Sequence, residues 1–245
     1  MINNAGIYHA PRSVSADGVE IHFAVNHLGH FLLTSLLTDM IKDSGPGSRI
    51  VFLMNLDYRK GKVVIDDLNF QNRVYDKSEA FYQSQLANML LVRELARRLK
   101  GRQYIWCLID LSPYCFGYLL TKVNLCYSLT GSGILVNAAY PGIVNTSIKR
   151  HMGVDKSISG NIIAKPLLWL VPGTSKSPKE GSKTPLFLTL DNETINSANN
   201  SSGNLYDSKQ EVLELDPVAL DNLLAKKLFL VGEYWTGLKS KDSVK

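Results

Sequence analysis

The chain has 245 residues, 45% of them apolar and 20% charged, with a formal net charge of +5. That is enough apolar material for one domain with a core, and too little charge for a disordered chain. The basic residues are scattered apart from a loose cluster at the tail (Lys239, Lys241, Lys245), with no aromatic interleaving, which argues against nucleic acid as a partner.

In chain order, Asp17 to Asp43 reads as a helix with an apolar face of Ile21, Val25, Leu28, Leu32, Leu36 and Met40, ended by Ser44-Gly45-Pro46-Gly47. Arg49 to Met54 is a short apolar run of the kind that forms a parallel strand covered on both sides. A second helix is expected from Lys77 to Leu99, with Leu91, Val92, Leu95, Ala96 and Leu99 on one side. A second buried strand follows at Ile134 to Ala139, closed by Pro141-Gly142. Two further helices, about 178–190 and 217–238, flank a short strand near Gly203 to Tyr206. The rhythm is that of an α/β fold with a doubly wound sheet.

Two stretches stand apart. Residues 102–130 form an apolar insert holding all three cysteines and Trp106, and 147–177 reads as a loop-rich lid around Ile162, Ile163, Leu167, Leu168, Trp169 and Leu170. The cysteine spacings match no zinc or redox motif, so a reducing, intracellular compartment is expected and no metal site. Residues 1–30 show no secretory pattern, and no run is long and apolar enough to cross a membrane, because Asp110 and Lys122 interrupt the most apolar stretch. The sequons at Asn145 and Asn192 read as chance matches.

Several phrases converge on one resemblance. Ile2-Asn3-Asn4-Ala5-Gly6, Asn26-His27-Leu28-Gly29-His30-Phe31, Asp66-Asp67-Leu68-Asn69, Leu86-Ala87-Asn88, Arg93 to Leu99 and Pro141 to Thr146 occur in the order and largely at the spacing of short-chain dehydrogenases. The chain resembles the retinol dehydrogenase-like branch of that family over residues 1–101 and about 131–238. The resemblance implies a single domain over 1–245, the C-terminal part of a Rossmann-type sheet whose first βαβ unit, with its glycine-rich phosphate turn, is missing from this sequence. It implies NADP or NAD as cofactor, with binding compromised without that turn, and a small apolar alcohol or carbonyl such as a retinoid as substrate. It leaves cytoplasmic and membrane-associated locations both open. Asn4, Ala5, Gly6, Pro141, Gly142, Ile143 and Thr146 fall at the family's cofactor positions, Thr146 as the hydroxyl for the nicotinamide amide.

Hydride transfer to a carbonyl carbon needs a proton at the oxygen. In the family a tyrosine supplies it, a lysine one helical turn on lowers its pKa, a serine polarises the oxygen, and an asparagine helps hold the lysine and a relay water. Aligned on the quoted phrases, the tyrosine position is Phe81, the lysine position Gln85 and the serine position Asn55; only Asn26 matches. The expectation is an oxidoreductase by family, impaired in this chain. The alternatives are a non-catalytic module that binds a ligand or pairs with an intact relative, or a truncated product. Tyr82 is rotated by roughly 100° from Phe81 and reads as pointing elsewhere; the pairs Tyr58/Lys62 and Tyr118/Lys122 read as accidental. The unpaired sheet edge is expected to make the isolated chain poorly soluble or dependent on a partner.

Overall fold

The computed structural model describes residues 1–45, 47–99, 133–146, 148, 175–191 and 202–238; the 102–130 insert and nearly all of the 147–177 lid lie outside them. The described part is a five-stranded sheet in the order β1-β2-β3-β4-β5: Ile2–Asn3, Arg49–Leu53, Leu135–Ala139, Leu205–Tyr206 and Val212–Leu213. The first four run parallel, and β5 turns back antiparallel on β4. β2 and β3 pair over five residues, Arg49 with Leu135 through Leu53 with Ala139, and are the expected buried strands.

Alternation along β2 decides what covers each side. Ile50 and Phe52 face the larger core with Val136, Ala138 and Leu205, while Val51 packs with Ala139, Tyr206 and Leu188 on the other side. Helices α1 (Gly29–Asp43), α2 (Lys77–Leu99) and α5 (Asn222–Trp235) cover the first face. Short α3 (Pro178–Gly181) and α4 (Lys183–Leu190) lie on the second face, where Leu188 of α4 packs. The α2 bounds are those the apolar spacing predicts.

Three expected bounds shift. The first helix begins at Ile21 rather than Asp17, because Val14 and Glu20 form a β-bridge and the Glu20 N–H donates to Asn69 Oδ1 at 2.9 Å. Its opening, Phe23–Leu28, is π-helical. The last helix divides: Asp216 caps a 3₁₀ turn over Pro217–Leu220, and the Asp221 carboxylate then accepts from the N–H groups of Leu223 and Leu224 to start α5. The 178–190 helix is interrupted at Ser182, after a capping box between Ser177 and Glu180.

Arg49 ties β2 to α4. Its buried guanidinium donates to the Leu188 carbonyl at 2.9 Å and to the Asp191 carbonyl, satisfying orphan groups at that helix's C-terminus. Arg49→Met keeps the stem and removes both bonds, so a loss of about 1–3 kcal/mol in a urea titration is expected.

Candidate active site

In a doubly wound sheet a ligand lies beyond the carboxyl ends of the strands. Three loops meet there: 4–10 after β1, 54–64 after β2 and 140–146 after β3. The π-helical turn places Asn26 against the first of them. Its Oδ1 accepts from the Ile7 N–H at 2.8 Å, and its Nδ2 donates to the Ile7 carbonyl and the Ser84 hydroxyl, each at 3.0 Å. Its main-chain carbonyl accepts from Asn88 Nδ2 at 2.8 Å. A Cβ on Gly6 would come within 3.5 Å of Asn26 Oδ1, so the small residue lets the loop approach this side chain.

The substituted positions are mutually satisfied. The carboxamide oxygen of Gln85 accepts from the Asn55 N–H at 2.8 Å, bridging α2 to the end of β2. Asn55 Oδ1 accepts from the Asp57 N–H at 3.0 Å and caps the 3₁₀ turn Leu56–Lys60. Phe81 is buried, and the Tyr8 ring meets it edge-on at 4.6 Å. The sequence brings Asn26, Asn55, Phe81 and Gln85 to one end of the sheet, joined through α2.

Tyr8 escapes sequence reasoning, since nothing marks the residue two places after Gly6. Burial raises its phenol pKa, and Asp57 and Tyr82 raise it further, against an opposing pull from Lys60. Lys60 is committed to Asp57 Oδ1 at 2.9 Å and lies 5.3 Å from the centroid of the Tyr82 ring. The phenols near Phe81 therefore lack the dedicated cation that a proton donor near neutrality requires. Tyr58 is a core residue whose hydroxyl accepts from the Asp216 N–H at 3.1 Å. Tyr118 lies outside the described residues.

Beneath Phe81, Glu20 and His22 are buried together. Ala10 N–H donates to His22 Nε2 at 3.0 Å, so Nδ1 carries the proton given to Glu20 Oε1 at 2.8 Å. Burial alone would raise the Glu20 carboxyl; bonds from the His22 ring and from the His22 and Phe23 N–H groups outweigh it and hold the pKa below its ordinary value. The Tyr75 hydroxyl donates to the same carboxylate at 3.1 Å. This network fixes the loop that carries Tyr8.

His27 is the other buried ring. Nδ1 lies 3.1 Å from Asn88 Oδ1, while Nε2 has no hydrogen-bond partner beside Phe23 and Phe31. Burial lowers its pKa from 6.5 to about 4. Because the folded value is depressed, the unfolded chain binds the extra proton, and stability is lost as pH falls from 6.5 towards 4. Unfolding at pH 5 is expected to cost about 2 kcal/mol less than at pH 7. His27→Gln, which keeps a donor towards Asn88, should flatten that dependence in paired denaturant titrations.

After β3, Gly142 has φ +84°, which favours glycine. The Lys176 stem lies against it, 3.4–3.5 Å from where a Cβ would be, and Lys176 bridges Val144 in parallel. Pro141, Ile143 and Thr146 follow the same strand end, with Ile143 and Thr146 exposed. Asn4 and Ala5 are also exposed, on the loop after β1. Among the described residues no cluster of metal-ligating side chains occurs, and no helix is long and apolar enough to cross a membrane.

Comparison with known proteins finds relatives in sequence and in fold. The chain is 36% identical over 239 residues to mouse retinol dehydrogenase 14, covering 97% of this chain and 59% of that protein. It is 34% identical over 240 residues to human retinol dehydrogenase 13, covering 98% and 61%. The chain thus spans about three-fifths of the length of these relatives. The fold matches the crystal structure of an uncharacterised protein from Mycobacterium paratuberculosis, with a TM-score of 0.59 at 23% identity, over 96% of this chain and 66% of that one. No family model matches the chain. In sequence the chain is thus similar to retinol dehydrogenases over nearly its whole length. That similarity agrees with the resemblance carried by Asn26 to Phe31 and Arg93 to Leu99.

Proposed function

We propose that the chain is a retinol dehydrogenase-like short-chain oxidoreductase that binds NADP(H) and a small apolar alcohol or carbonyl of the retinoid kind, with its catalytic step impaired. The family and the clustering of Asn26, Asn55, Phe81 and Gln85 at one sheet end support the site; the relatives' printed names support the substrate class. One observation carries the impairment: a benzyl ring stands where the phenol should be, and a neutral carboxamide, already bonded to Asn55, stands where its cation should be. A nicotinamide bound here would supply the hydride. This chain's residues would only position the partners, with the loops after β1 and β3 flanking the ring and Lys176 stiffening the second loop. The oxygen of a bound carbonyl would find no proton donor at position 81.

The test is binding. Retinal and NADPH are titrated separately into the full chain by quenching of tryptophan fluorescence, with an unrelated soluble protein as control. Saturable binding of at least one supports the reading, and its weakening by Gly142→Val would place it at the loop after β3. Failure of both to bind saturably would overturn it.

A further inference from the structure

The loop after β1 is pinned at two points. The Asn26 carboxamide bonds both main-chain groups of Ile7, at 2.8 and 3.0 Å, and the Ala10 N–H donates to the buried His22 ring at 3.0 Å. Only Tyr8 and His9 lie between these anchors. His9 takes φ +51°, a left-handed backbone that is uncommon for any residue with a side chain and persists where the surroundings enforce it. Its ring stacks on Tyr8, with 4.1 Å between centroids and 21° between planes. Held in this way, His9 Nε2 lies 3.1 Å from Ser78 Oγ in the first turn of α2.

The Ser78 hydroxyl is not needed to cap that helix. Asp76 does so, its Oδ1 accepting from the Ser78 N–H at 2.8 Å and the Glu79 N–H at 2.9 Å. The hydroxyl proton is left between two acceptors, the Asp76 carboxylate and His9 Nε2. Bonds from the Glu79 and Ser78 N–H groups hold the Asp76 pKa below its ordinary value, so it is the weaker base and the ring is the one able to take the proton. Burial lowers the His9 pKa below 6.5, and Lys77 and His22 lower it further, against opposing pulls from Asp76 and Asp57. The ring is thus neutral near pH 7, as a base must be. Ser78 stands three residues before Phe81 on the same side of α2, and the Tyr8 ring that stacks on His9 meets Phe81 edge-on at 4.6 Å. Both Ser78 and His9 remain partly exposed, open to a ligand from solvent.

We propose that Ser78 and His9 act as nucleophile and base in the hydrolysis of carboxylic esters whose apolar part lies beside the stacked Tyr8 and His9 rings. Ser78 Oγ attacks the acyl carbon while its proton passes to His9 Nε2. The bond to the leaving alcohol then breaks, and the alcohol oxygen takes that proton. Water attacks the acyl-serine, its proton passes through His9 to Ser78 Oγ, and the free acid departs. Ester and water become acid and alcohol, and the balance needs no further reactant. The Lys77 ammonium, whose charge is felt at His9, stabilises the oxyanion of each tetrahedral intermediate. The chemistry uses none of Asn26, Asn55, Phe81 or Gln85, so it stands or falls apart from the retinoid reading.

The probe is p-nitrophenyl butyrate added to the full chain near pH 7, with nitrophenolate release followed by absorbance and the protein mapped by mass spectrometry after acid quench. The expected result is faster release than from free imidazole at equal concentration, with a butyryl adduct on Ser78. Ser78→Ala should abolish the adduct and lower the rate at least about tenfold. His9→Asn, which suits the left-handed backbone, should lower the rate as far with unchanged circular dichroism. Ser44→Ala, at an exposed serine elsewhere, should change neither readout. Because Asp76 keeps the cap of α2, Ser78→Ala is expected to melt with the parent, which separates loss of the nucleophile from loss of the fold. A rate no greater than that of imidazole, an adduct on Lys77 or elsewhere in place of Ser78, or a rate indifferent to both changes overturns the proposal.

Discussion

Retinal reduction by the purified chain with NADPH is expected at no more than about 10⁻⁴ of the rate of mouse retinol dehydrogenase 14 assayed beside it. A positioned acid contributes about 10² to 10⁴, and groups that act as one unit fail together rather than in proportion. Phe81 has no proton to give. Gln85 has no charge to stabilise a phenolate, and its oxygen is held by the Asn55 N–H at 2.8 Å. Tyr8, the phenol packed on Phe81, is a poor substitute, because burial and Asp57 hold its proton more tightly. Phe81→Tyr, Gln85→Lys and Asn55→Ser together are expected to leave turnover at the same low level, since the side-chain oxygen and nitrogen of Asn26 and its main-chain carbonyl are already engaged. A rate near that of mouse retinol dehydrogenase 14, for the chain as it stands or for the triple variant, would contradict the assignment of these positions.

Gly61→Ala is expected to destabilise the fold by about 3 kcal/mol, at the upper end for overpacking. Its backbone lies in the extended region, so conformation is not the constraint. Space is: a Cβ would fall 2.5 Å from the Tyr82 carbonyl oxygen, 2.9 Å from Leu86 Cβ and 3.0 Å from the Tyr58 carbonyl oxygen. Two of those atoms are main chain and cannot swing aside, so the 54–64 loop or the α2 turn carrying Phe81 and Gln85 must move. Calorimetry should show a melting temperature lower by roughly 6–12 °C. A shift under about 2 °C would mean that the loop has slack at this contact.

The sequence pattern reveals the strongest periodic elements and conceals what distant partners decide. α2 was legible because its apolar positions recur at helical spacing, and β2 and β3 because they are continuous apolar runs between breakers. The start of the first helix was not, since the Glu20 N–H turns away to Asn69, 49 residues on. The π-helical turn was hidden for another reason: Ile21, Val25, Leu28 and Leu32 suit a straight helix equally well. The β4–β5 hairpin was half seen, because Val212 and Leu213 are too short a run to announce a strand. The family phrases pick out Asn26, Asn55, Phe81 and Gln85, which the fold gathers at one sheet end. The contacts of the site were not legible: Tyr8 on Phe81, Lys60 on Tyr82 and Lys176 on Gly142 join segments whose separation no local pattern encodes.

The π-helical turn at Phe23–Leu28 makes the chain locally longer than the axis it spans. There the Gly29 N–H reaches back five residues to the Ala24 carbonyl, which amounts to one amino acid of spare contour inside an otherwise ordinary helix. Removing a single residue at 24 or 25 would let the coil close into uniform α geometry with Phe31 and Thr34 still turned inward. The same excision midway along α2 would swing everything beyond it by roughly 100°. Length variation is thus tolerable at the head of the first helix and forbidden in the second, while Asn26, whose carbonyl the wider turn leaves open to Asn88, would forfeit its place.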